Sequence, residues 1–113
     1  MTLVNKSELV CDYLLDNGLK VLFVPDKSAS IVSVRTYVRL GSAYEKGVEG
    51  SGISHFIEHI VAGGTTSFCS KANYKDRLSR LGGAYNAYTT WDHTSYHINT
   101  VLEHLNEAIH ILF

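Results

Sequence analysis

Apolar and polar positions along the 113 residues follow two periods, and the change from one to the other marks out the elements. Between 31 and 40 they alternate: Val32, Val34, Thr36, Val38 and Leu40 fall on one side, and Ser33, Arg35, Tyr37 and Arg39 on the other. This is the period of a half-buried strand. Residues 8–14 and 19–24 are also apolar and β-prone. Asp16-Asn17-Gly18 joins them as a hairpin turn, because Asn-Gly accepts positive φ, and Pro25-Asp26 closes the second strand. Further on, Ile53, Phe56, Ile57, Ile60 and Val61 recur at i, i+3, i+4, i+7 and i+8, a helix with a continuous apolar stripe. Ser51 is its expected N-cap, Gly63-Gly64 its stop, and the stripe its anchoring face. Ser70 is expected to cap a second helix, whose Tyr74, Leu78 and Leu81 face inward and which ends at Gly82-Gly83; Lys71, Lys75, Arg77 and Arg80 form its wet face. Runs at 84–90 and 93–99 are β-like. No internal repeat or low-complexity segment interrupts the series. The fold class is α+β, a largely antiparallel sheet with helices packed on one face.

The last stretch reads as a helix opened by a capping box, Thr100 with Glu103. Val101, Leu102, Leu105, Ala108, Ile109, Leu112 and Phe113 form its stripe. It stops on Ile111-Leu112-Phe113 without the glycine, basic turn or polar tail that ends most helices. The expectation is that residues 1–113 are one partial domain of a longer protein. The alternative is a short helix that ends the domain and packs its own terminus.

A formal charge of −1 offers no polyanion-binding surface, so neither nucleic acid nor a membrane is an expected partner. No apolar run approaches the 18 residues of a membrane span. The first residues have neither the basic-then-apolar form of a signal peptide nor the Arg-rich character of a transit peptide, which leaves a cytoplasmic setting as the default. Cys11 and Cys69 lack metal-ligand spacing and read as two reduced thiols rather than a disulfide.

The chemistry is concentrated in His55-Phe56-Ile57-Glu58-His59. At about 100° per residue, the two imidazoles lie roughly 40° apart on a helix, and Glu58 lies roughly 60° to the other side of His55. Both histidines can ligate one zinc ion while the carboxylate stands beside it as a non-ligand base. The bland reading is a chance pattern on an unrelated α+β domain. Against it stand the periodic helix, the Gly-rich entry at Gly47, Gly50 and Gly52, and the Gly-Gly break. His93 and His97 are also four apart, but they fall on a strand, where i and i+4 stand about 13 Å apart, too far for one ion. His104 and His110 lack suitable spacing and are expected to be solvated.

Three stretches carry a resemblance. One is Leu15-Asp16-Asn17-Gly18-Leu19 through Leu22, followed by residues 32–45. Another is Gly52-Ile53-Ser54-His55-Phe56-Ile57-Glu58-His59, with Gly64-Thr65 after it. The last is Gly82-Gly83-Ala84-Tyr85-Asn86-Ala87 through Tyr96. In order and spacing the chain resembles the N-terminal portion of the M16 (pitrilysin/insulinase) metallopeptidases, the inverzincin family. The resemblance implies a zinc-dependent endopeptidase, with His55 and His59 as zinc ligands and Glu58 as the general base that activates a zinc-bound water. It also implies that Asn86 and Ala87 lie along the backbone of a bound peptide or unfolded polypeptide, added as an extra strand. Val61-Ala62-Gly63 departs from the family's bulkier pair and lysine, which implies a looser loop and unchanged chemistry. The family's third ligand is a glutamate roughly 70–80 residues beyond the motif, past Phe113. Glu103 and Glu107 are too close in sequence to replace it. The resemblance therefore implies partners: the remainder of the chain, or a second M16-like half closing over the substrate. The alternative function is a catalytically inactive zinc- or peptide-binding module that needs a partner chain.

Overall fold

The computed structural model describes residues 1–6, 10–63 and 71–113. Its strands form two antiparallel sheets of three. In the first, β1 (Thr2–Lys6), β2 (Cys11–Leu14) and β3 (Lys20–Phe23) lie in sequence order. β1 lies outside the elements that the sequence pattern predicts. It pairs along β2 with a register shift between Leu3 and Asn5. The β2–β3 turn is closed by Leu15 N–H to Leu19 O at 2.9 Å and Gly18 N–H to Leu15 O at 2.9 Å. Only Gly18 takes positive φ (84°), so Asn17 does not share the left-handed role expected of it. The connection is a turn followed by a left-handed glycine rather than a two-residue hairpin with both residues at positive φ. Cys11 is a free, half-buried thiol on β2, and Cys69 lies outside the described residues.

The second sheet carries the rest of the fold. β4 (Ile31–Val38), β5 (Ala84–Thr89) and β6 (Thr94–Val101) are ordered β4-β6-β5, so β5 is an edge strand. The alternation read at 31–40 holds for Val32, Val34 and Thr36, the half-buried positions of β4, but not for Val38 and Leu40, which are exposed at and beyond the strand's end. They sit opposite Thr100, Ile98 and Tyr96 of β6. Above this face lie α2 (Lys71–Arg80) and α3 (Leu105–Leu112). The core is Leu78, Leu81, Ile98 and Ala108, with Val34, Tyr74, Ile111 and Leu112 packed around it. The inward residues expected of the second helix are therefore in place. Its expected cap, Ser70, lies outside the described residues, as does Gly64 beyond the first helix.

Polar groups tie these layers together in ways the local pattern did not show. Thr100 opens no helix. It belongs to β6, is buried, and donates its hydroxyl to Leu81 O at 2.7 Å. Burial of that carbonyl at the end of α2 requires a donor, and the strand supplies one. A 3-10 turn over Leu102–His104 then leads into α3. His104 Nδ1 lies 3.0 Å from the same Leu81 oxygen, so this histidine is half-buried rather than solvated. Arg77 is likewise only partly on a wet face: its Nε meets Glu107 Oε1 at 2.7 Å across the α2–α3 contact.

The first motif helix, α1 (Ile53–Ala62), lies over the same face of the sheet but at its other end. Its orientation corrects the expectation. Ile53, Phe56, Ile57, Ile60 and Val61 are 42–63% exposed, whereas Ser54 and Glu58 are the buried positions. The helix docks through hydrogen bonds of small and polar side chains rather than through its apolar stripe. Ser54 Oγ donates to Gly41 O at 3.3 Å, and Thr89 Oγ1 donates to Glu58. Among the described residues no layer covers the stripe, so periodicity identified the helix but not its inward side.

Candidate active site

The start of α1 is held from a distance. Gly52 is the N-cap residue, in the left-handed region at φ 72°, and no side chain caps the helix from that position. The expected cap, Ser51, instead donates its hydroxyl to Glu45 Oε2 at 3.4 Å. Glu45 is the group that satisfies the helix: its Oε1 accepts from Ser54 N–H at 2.9 Å and its Oε2 from Gly52 N–H at 3.2 Å. A carboxylate here meets both the orphan donors and the positive end of the helix dipole. These donors, the Ser54 N–H foremost, hold the Glu45 carboxyl below its ordinary pKa against the opposing effect of burial. Nothing in the residues around Ser51 marked Glu45 beforehand. The cap comes from a separate 3-10 turn, Ser42–Tyr44, folded back onto the helix start.

That turn is fixed in turn by the β5–β6 connection. Ser42 N–H donates to Thr90 O at 3.1 Å and Ala43 N–H to Trp91 O at 2.9 Å. The approach requires Gly41, since a Cβ there would stand 2.5 Å from Thr90 O and 2.6 Å from Trp91 O. Helix α1 and strand β5 are thus locked together through Gly41 and Glu45, beneath the residues that matter chemically.

On this support the motif residues converge. The His55 and His59 rings stand with centroids 4.6 Å apart, tilted by 40°. Two imidazoles sharing one tetrahedral zinc have centroids about 5 Å apart, so the pair fits a single ion, and imidazole nitrogen is a donor zinc favours. Glu58 is only 4% exposed. Its Oε2 lies 3.9 Å from His55 Nε2, near the pair but not on it, and accepts the Thr89 hydroxyl at 3.0 Å. Among the described residues, no set of three His, Cys, Asp or Glu side chains is arranged to hold a metal. A catalytic zinc takes three protein ligands, and the pair offers nitrogen donors for two of them.

A cavity of about 190 Å³ gathers Glu58 and His59 with Asn86 and Ala87 of β5; Tyr74, Tyr85 and Tyr96 also line it. A neighbouring cleft of about 440 Å³ holds His55, Glu45, Thr89, Thr90 and Trp91. The five residues singled out in the sequence therefore lie around one region where α1 crosses β5. Tyr96 has its phenol pKa raised, first by burial and then by the Glu58 charge, so it remains protonated beside the carboxylate. Burial, assisted by the Arg35 charge, lowers the pKa of His97 and favours its neutral ring. His93 Nδ1 lies 2.7 Å from Asp92 Oδ1 and 3.0 Å from Thr90 Oγ1, organising the β5–β6 turn, and His97 sits further along β6.

Comparison with known proteins agrees with this fold. Residues 20–113 match the family model described as Insulinase (Peptidase family M16). The chain is 36% identical over 98 residues to an uncharacterized zinc protease of Rickettsia felis, covering 87% of this chain and 23% of that protein. It is 35% identical over 95 residues to the insulin-degrading enzyme of Homo sapiens, covering 84% of this chain and 9% of that enzyme. Among solved structures, a protease from Helicobacter pylori superimposes with a TM-score of 0.81 at 28% identity, over 90% of this chain and 24% of that one. The chain belongs to the M16 peptidase family. It spans less than a quarter of the length of each of these relatives.

Proposed function

We propose that the protein containing these residues is a zinc-dependent endopeptidase and that this stretch is the N-terminal segment of its catalytic domain. One observation carries the reading: the His55–His59 pair, the buried Glu58 and the Asn86–Ala87 edge strand lie around two neighbouring cavities where α1 crosses β5. Zinc, when bound, supplies a Lewis acid that polarises the scissile carbonyl and makes water more acidic. His55 and His59 hold it, and the rest of the protein provides the remaining ligand. Glu58 takes the proton from the attacking water and passes it to the leaving amine. Among the described residues no strand pairs the outer edge of β5 at Asn86 and Ala87, where an extended peptide can add as a strand, so unfolded polypeptide is the substrate class.

In the full-length protein, Glu58→Gln retains zinc and loses peptide hydrolysis. Hydrolysis preserved in that variant would overturn the assignment of Glu58 as base. The absence of a third ligand among the described residues favours a second reading for the 113 residues taken alone, a zinc- or peptide-binding module that is inert without its partner. Assaying the 113-residue chain beside the full-length protein separates the two, since activity in the short chain excludes the inert module.

A further inference from the structure

We infer that Thr89 is a positioning residue for the general base: its hydroxyl holds the Glu58 carboxylate in the direction hydrolysis requires. The inference rests on the peptidase reading and adds to it a group outside the histidine–glutamate motif. A glutamate reaches its target through three rotatable bonds, and α1 fixes only the first atoms of that reach. The far end is held from the sheet, where Thr89 Oγ1 lies 3.0 Å from Glu58 Oε2. The same Oε2 stands 3.9 Å from His55 Nε2, so the oxygen that Thr89 holds is the one that faces His55.

The direction of this hydrogen bond is determined by its neighbours. Thr89 Oγ1 also lies 3.3 Å from Thr94 Oγ1, its cross-strand partner. Thr94, however, gives its single hydroxyl proton to Leu40 O at 2.8 Å and has none left for Thr89. Thr89 is therefore the donor, and the closer, charged carboxylate is its better acceptor. Thr89 is also the last residue of β5, three positions from Asn86 and two from Ala87. The strand along which the peptide is proposed to lie thus also orients the base. Substrate backbone and base are referred to one rigid element, an alignment on which proton transfer in a bound complex depends.

The test compares Thr89→Val, which keeps the shape and removes the hydroxyl, with Thr89→Ser, which keeps the hydroxyl. Both are made in the full-length protein, with zinc content, kcat and KM measured on a fluorogenic peptide. Thr89→Val should lower kcat roughly 10- to 100-fold, with KM within about twofold and zinc content unchanged. Thr89→Ser should recover most of the loss. A kcat for Thr89→Val within about twofold of wild type, or a Thr89→Ser variant as impaired as Thr89→Val, overturns the inference. A readout independent of activity is the melting temperature of the zinc-free protein. Thr89→Val should lower it in the wild-type background and leave it unchanged in Glu58→Ala, because the two groups act as a pair. Equal shifts in both backgrounds overturn the inference. A wild-type protein with no hydrolytic activity refutes the peptidase reading instead, and leaves the melting-temperature comparison to decide whether Thr89 holds Glu58.

Discussion

Replacing Gly41 by alanine separates steric from conformational effects in the support of the site. Gly41 has φ −146° and ψ −173°, extended backbone open to any residue, so an added methyl group meets no torsional penalty. It does meet three backbone atoms, Thr90 O at 2.5 Å, Trp91 O at 2.6 Å and His93 N at 2.7 Å. Comfortable contacts begin near about 3.5 Å, so the segment must retreat by nearly an ångström. That retreat stretches the Ser42 N–H···O bond to Thr90 and the Ala43 N–H···O bond to Trp91 past useful length. Two lost hydrogen bonds of about 1 kcal/mol each, with about 1–3 kcal/mol of overpacking, give a destabilisation of about 3–5 kcal/mol. With a urea m-value of about 1–3 kcal/mol/M, the midpoint of the domain falls by at least about 1 M. The control is Gly47→Ala. Gly47 has φ 81° and nothing within 4 Å of a built Cβ, so its loss is confined to the left-handed penalty of about 1–2 kcal/mol. The assay is urea unfolding of both variants in the full-length protein, followed through the transition of this domain. A Gly41→Ala variant within about 1 kcal/mol of wild type, or no worse than Gly47→Ala, refutes the reasoning.

Two further outcomes concern stability. The Glu45 pKa is lowered by its helix N–H donors, so its stabilising contribution is complete above the ordinary carboxylate value of 4.5 and is lost as pH falls through the lower folded value. The stability difference between wild type and Glu45→Gln should hold steady near neutrality and shrink on acidification, and a difference that grows below about pH 4 contradicts the assignment. Thr100→Val leaves the buried Leu81 carbonyl without its 2.7 Å hydroxyl donor and should destabilise the domain by about 1–3 kcal/mol in urea unfolding, whereas an unchanged midpoint shows that His104 alone satisfies that oxygen.

The sequence shows most clearly the features whose determinants are local. Alternation at Val32, Val34 and Thr36 locates β4 and its inner face, and the spacing of Tyr74, Leu78 and Leu81 locates the inner face of α2. The His55–Glu58–His59 geometry follows from helix rotation alone. Less legible is whatever depends on a partner remote in the chain. Glu45 caps a helix that begins eight residues later, through a loop whose course no short pattern encodes. Thr100 matches a capping box by its letters, yet the buried carbonyl of Leu81 recruits it first. The apolar stripe of α1 signals a helix correctly and its docking face incorrectly, because Ser54 and Glu58 find hydrogen-bond partners in the sheet. Thr89 has no motif of its own. The packing of α1 on β5 brings it to Glu58.

The edge of β5 places function and solubility in conflict. Soluble proteins blunt such edges with charge, proline or a bulge, because an unpaired row of N–H and C=O groups will accept any extended chain. Ala84–Thr89, Ala-Tyr-Asn-Ala-Tyr-Thr, contains no charge and no proline, and its pairing with β6 runs without a break in register. A lysine or proline that discouraged a second copy of the chain from pairing there would equally obstruct the proposed substrate backbone. Closing this edge to a second copy of the chain would also close it to the proposed substrate. Protection against self-pairing must therefore come from how the edge is enclosed, not from its sequence.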